Sequence, residues 1–204
     1  APGFWGAILA AGSGVRFGGG KLLAPLAGRP LIAWPVDAAL ASGLERILVV
    51  AGADLAAIRS ALPADPRLSC IANPDHARGM GATLALAAGR AMAGRAAGLV
   101  VILGDTPLIA PETIAAVSLA AAQAPAGAAA AAVGGRRCHP VAFMARHLPR
   151  LAGLGGDSGG RELLAELGDG LALTPAPDHS GLDVDTPADL DRAAALLMSR
   201  GRPA

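Results

Sequence analysis

The sequence has no tyrosine, three phenylalanines and two tryptophans, so aromatics make up only 2% of its 204 residues. So few rings leave little for stacking nucleobases along a single strand. An excess of one charge is missing too. Seventeen Lys and Arg stand against 16 Asp and Glu, a formal net charge of +1. A near-neutral chain offers no electrostatic case for nucleic acid or for a membrane surface as partner. No apolar run is long enough to span a bilayer, because Gly, Pro or Arg breaks the longest ones. No secretory signal is visible, although the chain starts at Ala1 rather than Met. The two cysteines, Cys70 and Cys138, are far apart and match no metal spacing. Reduced thiols and a cytoplasmic location are expected.

What is abundant is alanine, which lifts the hydrophobic share to 53%. The core must be built from Ala, Leu, Val and Ile, which suits helices packed closely on a sheet. The length favours one domain over residues 1–204. Residues 4–10, 47–51, 68–72 and 99–103 read as strands, the first a buried apolar run and the last fully apolar. Helices are expected at 30–42, 54–62, 81–93 and 111–123; Pro111 and Glu112 suit the first turn of the last of these. The alanine-rich stretch 126–133 lacks periodicity and fits strand or loop. Further on, 141–144 and 171–174 read as strands, and 146–151 and 160–167 as helices, the second capped by Asp157 or Ser158. Thr186-Pro187-Ala188-Asp189 is a capping box opening the last helix. Strands alternating with helices predict an α/β fold: a Rossmann-like three-layer sandwich around a mostly parallel sheet. Ligands of such folds lie at the carboxyl ends of the strands.

The first strand runs into a loop with five glycines that carries two cations, Arg16 and Lys21. Glycines let backbone approach a ligand, and successive N–H groups form anion-binding nests. A flexible loop with two solvated cations is the plainer reading. Two familiar glycine loops fail on spacing. A Walker A loop would need Gly where Val15 stands and a hydroxyl where Leu22 stands. A dinucleotide fingerprint would need Gly at Phe17. Two carboxylate segments follow. Asp105 comes just after the strand 99–103, where it is either a turn former or a Mg²⁺ ligand. Asp183 and Asp185 share one side of any extended segment, and either is a candidate second ligand; Asp185 also suits a helix cap. Arg136, Arg137 and His139 form a compact cationic cluster, a candidate phosphate site or a solvated surface.

The loop Leu9-Ala10-Ala11-Gly12-Ser13-Gly14-Val15-Arg16-Phe17-Gly18-Gly19-Gly20-Lys21 resembles the signature of MobA-like nucleotidyltransferases. The resemblance continues in order through Asn73-Pro74, Gly79-Met80-Gly81-Ala82-Thr83, Gly104-Asp105-Thr106-Pro107, His139-Pro140-Val141, Gly156-Asp157-Ser158-Gly159-Gly160-Arg161 and Asp183-Val184-Asp185-Thr186-Pro187. Ala11 and the Asp183/Asp185 pair are similar to the molybdenum cofactor cytidylyltransferase (MocA-like) branch. The guanylyl-transferring branch usually has Gly and two Asn there. Ala82, where a serine is common, and Cys138, where glycine is common, depart from the pattern and bear on the acceptor.

The resemblance implies Mg²⁺-dependent transfer of a nucleoside monophosphate, CMP from CTP, to a phosphorylated acceptor. Molybdopterin or molybdenum cofactor is the implied acceptor, and pyrophosphate is released. Lys21 and Arg16 would neutralise the phosphates, and Asp105 and Asp185 would hold the metal. Leu9, Ala10, Ala11, Gly12, Ser13, Gly14, Gly79, Gly81 and Thr83 would meet the nucleotide. Arg136, Arg137, His139, Asp157 and Arg161 would meet the acceptor, although Asp157 and Arg161 fit a helix cap as well. It also implies transient contact with a molybdoenzyme or its chaperone. A sugar or alditol phosphate as acceptor, and a non-catalytic nucleotide- or cofactor-handling protein of the same fold, are the rival readings.

Overall fold

The computed structural model describes residues 3–12, 14, 17–156 and 160–200. In chain order the strands are β1 (Phe4–Ala10), β2 (Pro25–Leu26), β3 (Arg29–Pro30), β4 (Arg46–Ala51), β5 (Leu68–Ala72), β6 (Gly98–Leu103), β7 (Ala128–Val133), β8 (Arg136–Met144) and β9 (Ala172–Pro175). The helices are α1 (Ala33–Ala41), α2 (Leu55–Ala61), α3 (Met80–Ala93), α4 (Pro111–Gln123), α5 (Leu148–Ala152), α6 (Arg161–Leu167) and α7 (Pro187–Arg200). Seven strands form one sheet in the order β5-β4-β1-β6-β8-β7-β9. All its pairings are parallel except the two made by β8, with β6 and with β7. This is the expected α/β architecture.

Alternation divides the strand side chains between two cores. Phe4, Ile8, Val49 and Ile102 face helices α1, α2 and α4, represented by Val36, Ile58 and Ile114. Trp5, Leu9, Val50 and Val101 face α3, α5 and α6, represented by Leu84, Leu151 and Leu163. With both faces covered, the central strands are apolar throughout, as buried parallel strands are. A third cluster lies apart, where α7 sets Ala193 against Leu26, Leu31 and Val184.

Two expectations are corrected and one open alternative is resolved. The helix foreseen from Pro30 begins at Ala33, because β2 and β3 pair as a hairpin turned at Ala27 (φ 48°) and Gly28 (φ 80°). Two-residue strands are too short to display alternation in sequence. Pro35 then lies in the first turn of α1, where its missing N–H costs nothing. Residues 128–133 are a strand, whose five alanines are buried between β8 and β9. Finally, β8 starts at Arg136 rather than near Val141. Its pairing with β7 jumps from Ala130–Val141 to Ala131–Cys138, leaving His139-Pro140 as a bulge. Proline cannot donate to a ladder, which explains why the strand seemed to stop there. The caps foreseen for α6, Asp157 and Ser158, lie outside the described residues.

Candidate active site

The sheet reverses its direction of growth at β1. The chain fills β4 and β5 on one side of it and β6, β8, β7 and β9 on the other. The loops leaving adjacent β1 and β6 therefore diverge, and a crevice opens at their carboxyl ends. The glycine loop leaves β1, and Gly104-Asp105 leaves β6. Gly104 lies close against β1: its N–H donates to Leu9 O (3.0 Å), and an added Cβ would lie 3.0 Å from that oxygen and 2.9 Å from Ile32 Cδ1. Asp105 is thus held beside the end of β1.

Within the glycine loop, Gly14, Gly18, Gly19 and Gly20 all have positive φ. The Phe17 and Gly19 N–H groups both donate to Gly14 O, so these two amides close the loop rather than face a ligand. The loop ends in a single 3-10 turn, Lys21–Leu23. From it Lys21 Nζ reaches Asp105 Oδ2 at 2.5 Å and Asp185 Oδ1 at 3.2 Å. Burial alone would lower the Lys21 pKa, but the hydrogen bonds and charges of Asp105 and Asp185 outweigh it, and the net shift is upward.

Asp185 arrives from the far end of the chain. Val184, wholly buried, donates its N–H to Asp105 O (3.0 Å), which clips the 183–185 segment to the Asp105 loop. Asp189 closes the expected capping box. Its Oδ2 accepts from Thr186 Oγ1 (2.7 Å), Thr186 N (2.9 Å) and Asp185 N (3.2 Å), and Asp189 N donates to Thr186 Oγ1. Those bonds, led by the Thr186 hydroxyl, hold the Asp189 pKa down. Asp183 lies at the open lip of the crevice. Desolvation by the crevice walls, then the charges of Asp105 and Asp185, push its carboxyl up to about 6.

A cleft of about 1310 Å³ opens beside these carboxylates. Because β8 runs antiparallel, its first residues start at the edge where the parallel strands end. Arg136, Arg137 and His139 therefore line the same cleft as Asp105, Asp183 and Asp185, together with Arg161 at the start of α6. His139 departs from expectation. It is not cationic: desolvation lowers its pKa to about 4, against the pull of Asp105 and with the help of Arg137 and Arg161.

Leu9 and Ala10 lie inside β1 and are buried; among the described residues the open part of the loop starts at Ala11 and Gly12. Gly79 (φ 101°) is half-buried, and Gly81 and Thr83 are buried. Gly81 N donates to Gly156 O (2.7 Å), and the Thr83 hydroxyl accepts from Asn73 Nδ2 (3.1 Å). Thr83 and Asn73 thus brace the start of α3. Ser13, Arg16 and Asp157 lie outside the described residues. Arg192, Leu196 and Ser199 of α7 also line the cleft and escaped sequence reasoning. Their spacing marks one helix face, but only the packed position of α7 shows that this face meets the cleft.

Among the described residues no group of three or more His, Cys, Asp or Glu gathers as metal ligands, and no helix is long and apolar enough to cross a membrane. Two carboxylates sharing one cation still suit magnesium, which takes one or two carboxylates and completes its shell with phosphates and water.

A glycine loop, a lysine and converging carboxylates at the switch point of a parallel sheet define an α/β protein that handles phosphorylated ligands. Residues 6–171 match the MobA-like NTP transferase domain, and the chain belongs to that family of nucleotidyltransferases. It is 32% identical over 195 residues to the purine catabolism protein PucB of Bacillus subtilis (strain 168), covering 91% of this chain and 93% of that one. Its fold is similar to the crystal structure of Rv0371c from Mycobacterium tuberculosis H37Rv, with TM-score 0.79, 26% identity and coverage of 94% and 97%. Rv0371c is also known in complex with manganese, a structure matched at TM-score 0.77 and 24% identity, with the same coverage. The nucleotidyl transferase Mth528 from Methanothermobacter thermautotroptrophicus shares the fold, with TM-score 0.81, 21% identity and coverage of 98% and 100%.

Proposed function

We propose that the chain transfers CMP from CTP to a phosphorylated acceptor of the molybdopterin type, with Mg²⁺, releasing pyrophosphate. The observation that carries this reading is Lys21, at the end of the glycine loop, bound to both Asp105 and Asp185 at the mouth of an arginine-lined cleft. The loop and Lys21, with Arg16, bind the triphosphate and stabilise charge on the departing pyrophosphate. Asp105 and Asp185 hold magnesium, which when bound neutralises phosphate charge. A divalent cation in this role is supported by Rv0371c, a protein of similar fold that is known in complex with manganese. Arg136, Arg137 and Arg161 orient the acceptor so that its phosphate oxygen attacks the α-phosphorus in line. The P–O bond to pyrophosphate breaks, and no covalent enzyme intermediate is needed. Catalysis is then positioning and charge stabilisation.

CTP is favoured because Ala11 adds a methyl group at the first open position of the loop, which hinders a purine more than a pyrimidine. A site built to hydrogen-bond one base rejects another by leaving its polar groups unpaired. The test is pyrophosphate release with CTP, GTP and ATP against molybdopterin, sugar phosphates and alditol phosphates. CTP with molybdopterin should give the highest kcat/KM. A preference for GTP or ATP overturns the base assignment, and turnover with a sugar or alditol phosphate alone overturns the acceptor.

A further inference from the structure

We infer that Lys21 is a positioning residue for the cation site: it holds Asp105 and Asp185 together and competes with the divalent cation for the same oxygens. The inference rests on reading Asp105 and Asp185 as the metal pair.

The two carboxylates come from distant parts of the chain, 84 and 164 residues from Lys21. Both lie within 3.2 Å of Lys21 Nζ, and without that cation two such carboxylates would repel each other. The Lys21 ammonium lies between them, and its side chain is only 13% exposed, against 21% and 36% for the two carboxylates. An ammonium is a point charge with three donors and no acceptor, and here two donors are directed at the oxygens that a bridging cation would take. Nζ therefore marks where the attraction of both carboxylates adds. Its stem leaves the 3-10 turn close beside Gly14, where an added Cβ would lie 3.2 Å from Lys21 Cβ.

Sharing oxygens has a consequence for Lys21. While it bridges the carboxylates, it cannot also neutralise a triphosphate. When a divalent cation takes the carboxylates, the ammonium is released at the end of the glycine loop, where the phosphates bind. Cation binding and phosphate binding are then coupled through one side chain, and the coupling is reciprocal. Lys21 also spares the empty site the cost of two uncompensated, half-buried charges.

The test uses Mn²⁺ alone as the probe, titrated by calorimetry into the full chain without nucleotide. Lys21→Met should bind Mn²⁺ more tightly than wild type, by about tenfold, within the usual range of coupling between sites. Lys21→Arg, which keeps the charge, should stay near wild type. In wild type, Mn²⁺ should tighten CTP binding, and in Lys21→Met that gain should shrink. Lys21→Gln removes the charge but keeps a donor for the carboxylates, and it gives the same readout if the methionine variant is unstable. Damage to the fold would weaken Mn²⁺ binding, so a gain is diagnostic. Equal or weaker Mn²⁺ binding by both neutral variants, with wild type binding measurably, overturns the competition and leaves the metal pair standing. Mn²⁺ binding that is absent throughout, or unaffected by Asp105→Asn, overturns the metal pair and the inference with it.

Discussion

Burial pushes the pKa of both Lys21 and His139 down, yet only Lys21 ends above its ordinary value. Lys21 keeps its charge because two carboxylates compensate it; at His139 desolvation, with Arg137 and Arg161, outweighs the pull of Asp105. Removing the Lys21 charge by Lys21→Ala should reduce transfer by about two orders of magnitude or more at saturating nucleotide, with the fold intact by circular dichroism. Turnover near wild type would end the phosphate-loop reading. For His139 the consequence is a pH dependence of stability. Its folded pKa of about 4 lies below its ordinary 6.5. Between those values the unfolded chain binds a proton that the folded chain refuses, so the contribution of His139 to stability falls as pH falls. Asp183 works the other way. Raised from 3.8 to about 6, it takes up its proton first in the folded state, and its contribution rises as pH falls through that window. The observable is therefore the difference between wild type and His139→Gln, measured by urea unfolding in EDTA. Wild type should lose ground to the variant between pH 7 and pH 4. A difference that does not vary with pH would show that His139 is not held neutral.

Helix α3 contains two glycines in opposite surroundings. A Cβ on Gly81 would lie 2.6 Å from Gly155 O and 2.7 Å from Gly156 O, whereas one on Gly89 would meet nothing within 4 Å. Gly81→Ala must push the 155–156 loop away and break the Gly81–Gly156 hydrogen bond, at a cost of about 1–3 kcal/mol. Gly89→Ala fills open space in a helix interior and should stabilise by roughly 0.5–1 kcal/mol. Thermal unfolding of the two variants should move in opposite directions, and a shift of the same sign would show that the loop yields freely. The alanine strand β7 makes the same point about close approach. Its small side chains carry no periodic signal, yet they are buried on both faces of the sheet, Ala129 and Ala131 in one core and Ala128 and Ala130 in the other.

Across the whole molecule, residues from four parts of the chain meet at one cleft. Arg136 and Arg137 come with β8, Arg161 with α6 and Arg192 with α7, opposite Asp105 after β6. Arg192→Ala should raise the acceptor KM several-fold with little change in kcat, since an anchoring charge acts on ground and transition states alike. An unchanged KM would mean that α7 only closes the cleft as a wall.

By itself the sequence determined the parallel half of the sheet, the glycine loop, Asp105 at a strand end and the capping box at Thr186. Each of these is local: an apolar run, a glycine spacing or a cap depends on residues within a few positions. Tertiary structure decided what depends on distant partners. The β2–β3 hairpin and the alanine strand are too short or too uniform to announce themselves, and exist because α7 and β8 pack against them. The full length of β8 is hidden by Pro140, since a bulge is defined only against the partner strand. The neutral state of His139 follows from the walls that desolvate it, and the face of α7 that carries Arg192 is polar or apolar in purpose only once the cleft is there. The bridge from Lys21 to Asp105 and Asp185 joins residues far apart in the chain, and the clip from Val184 to Asp105 holds Asp185 near the same lysine.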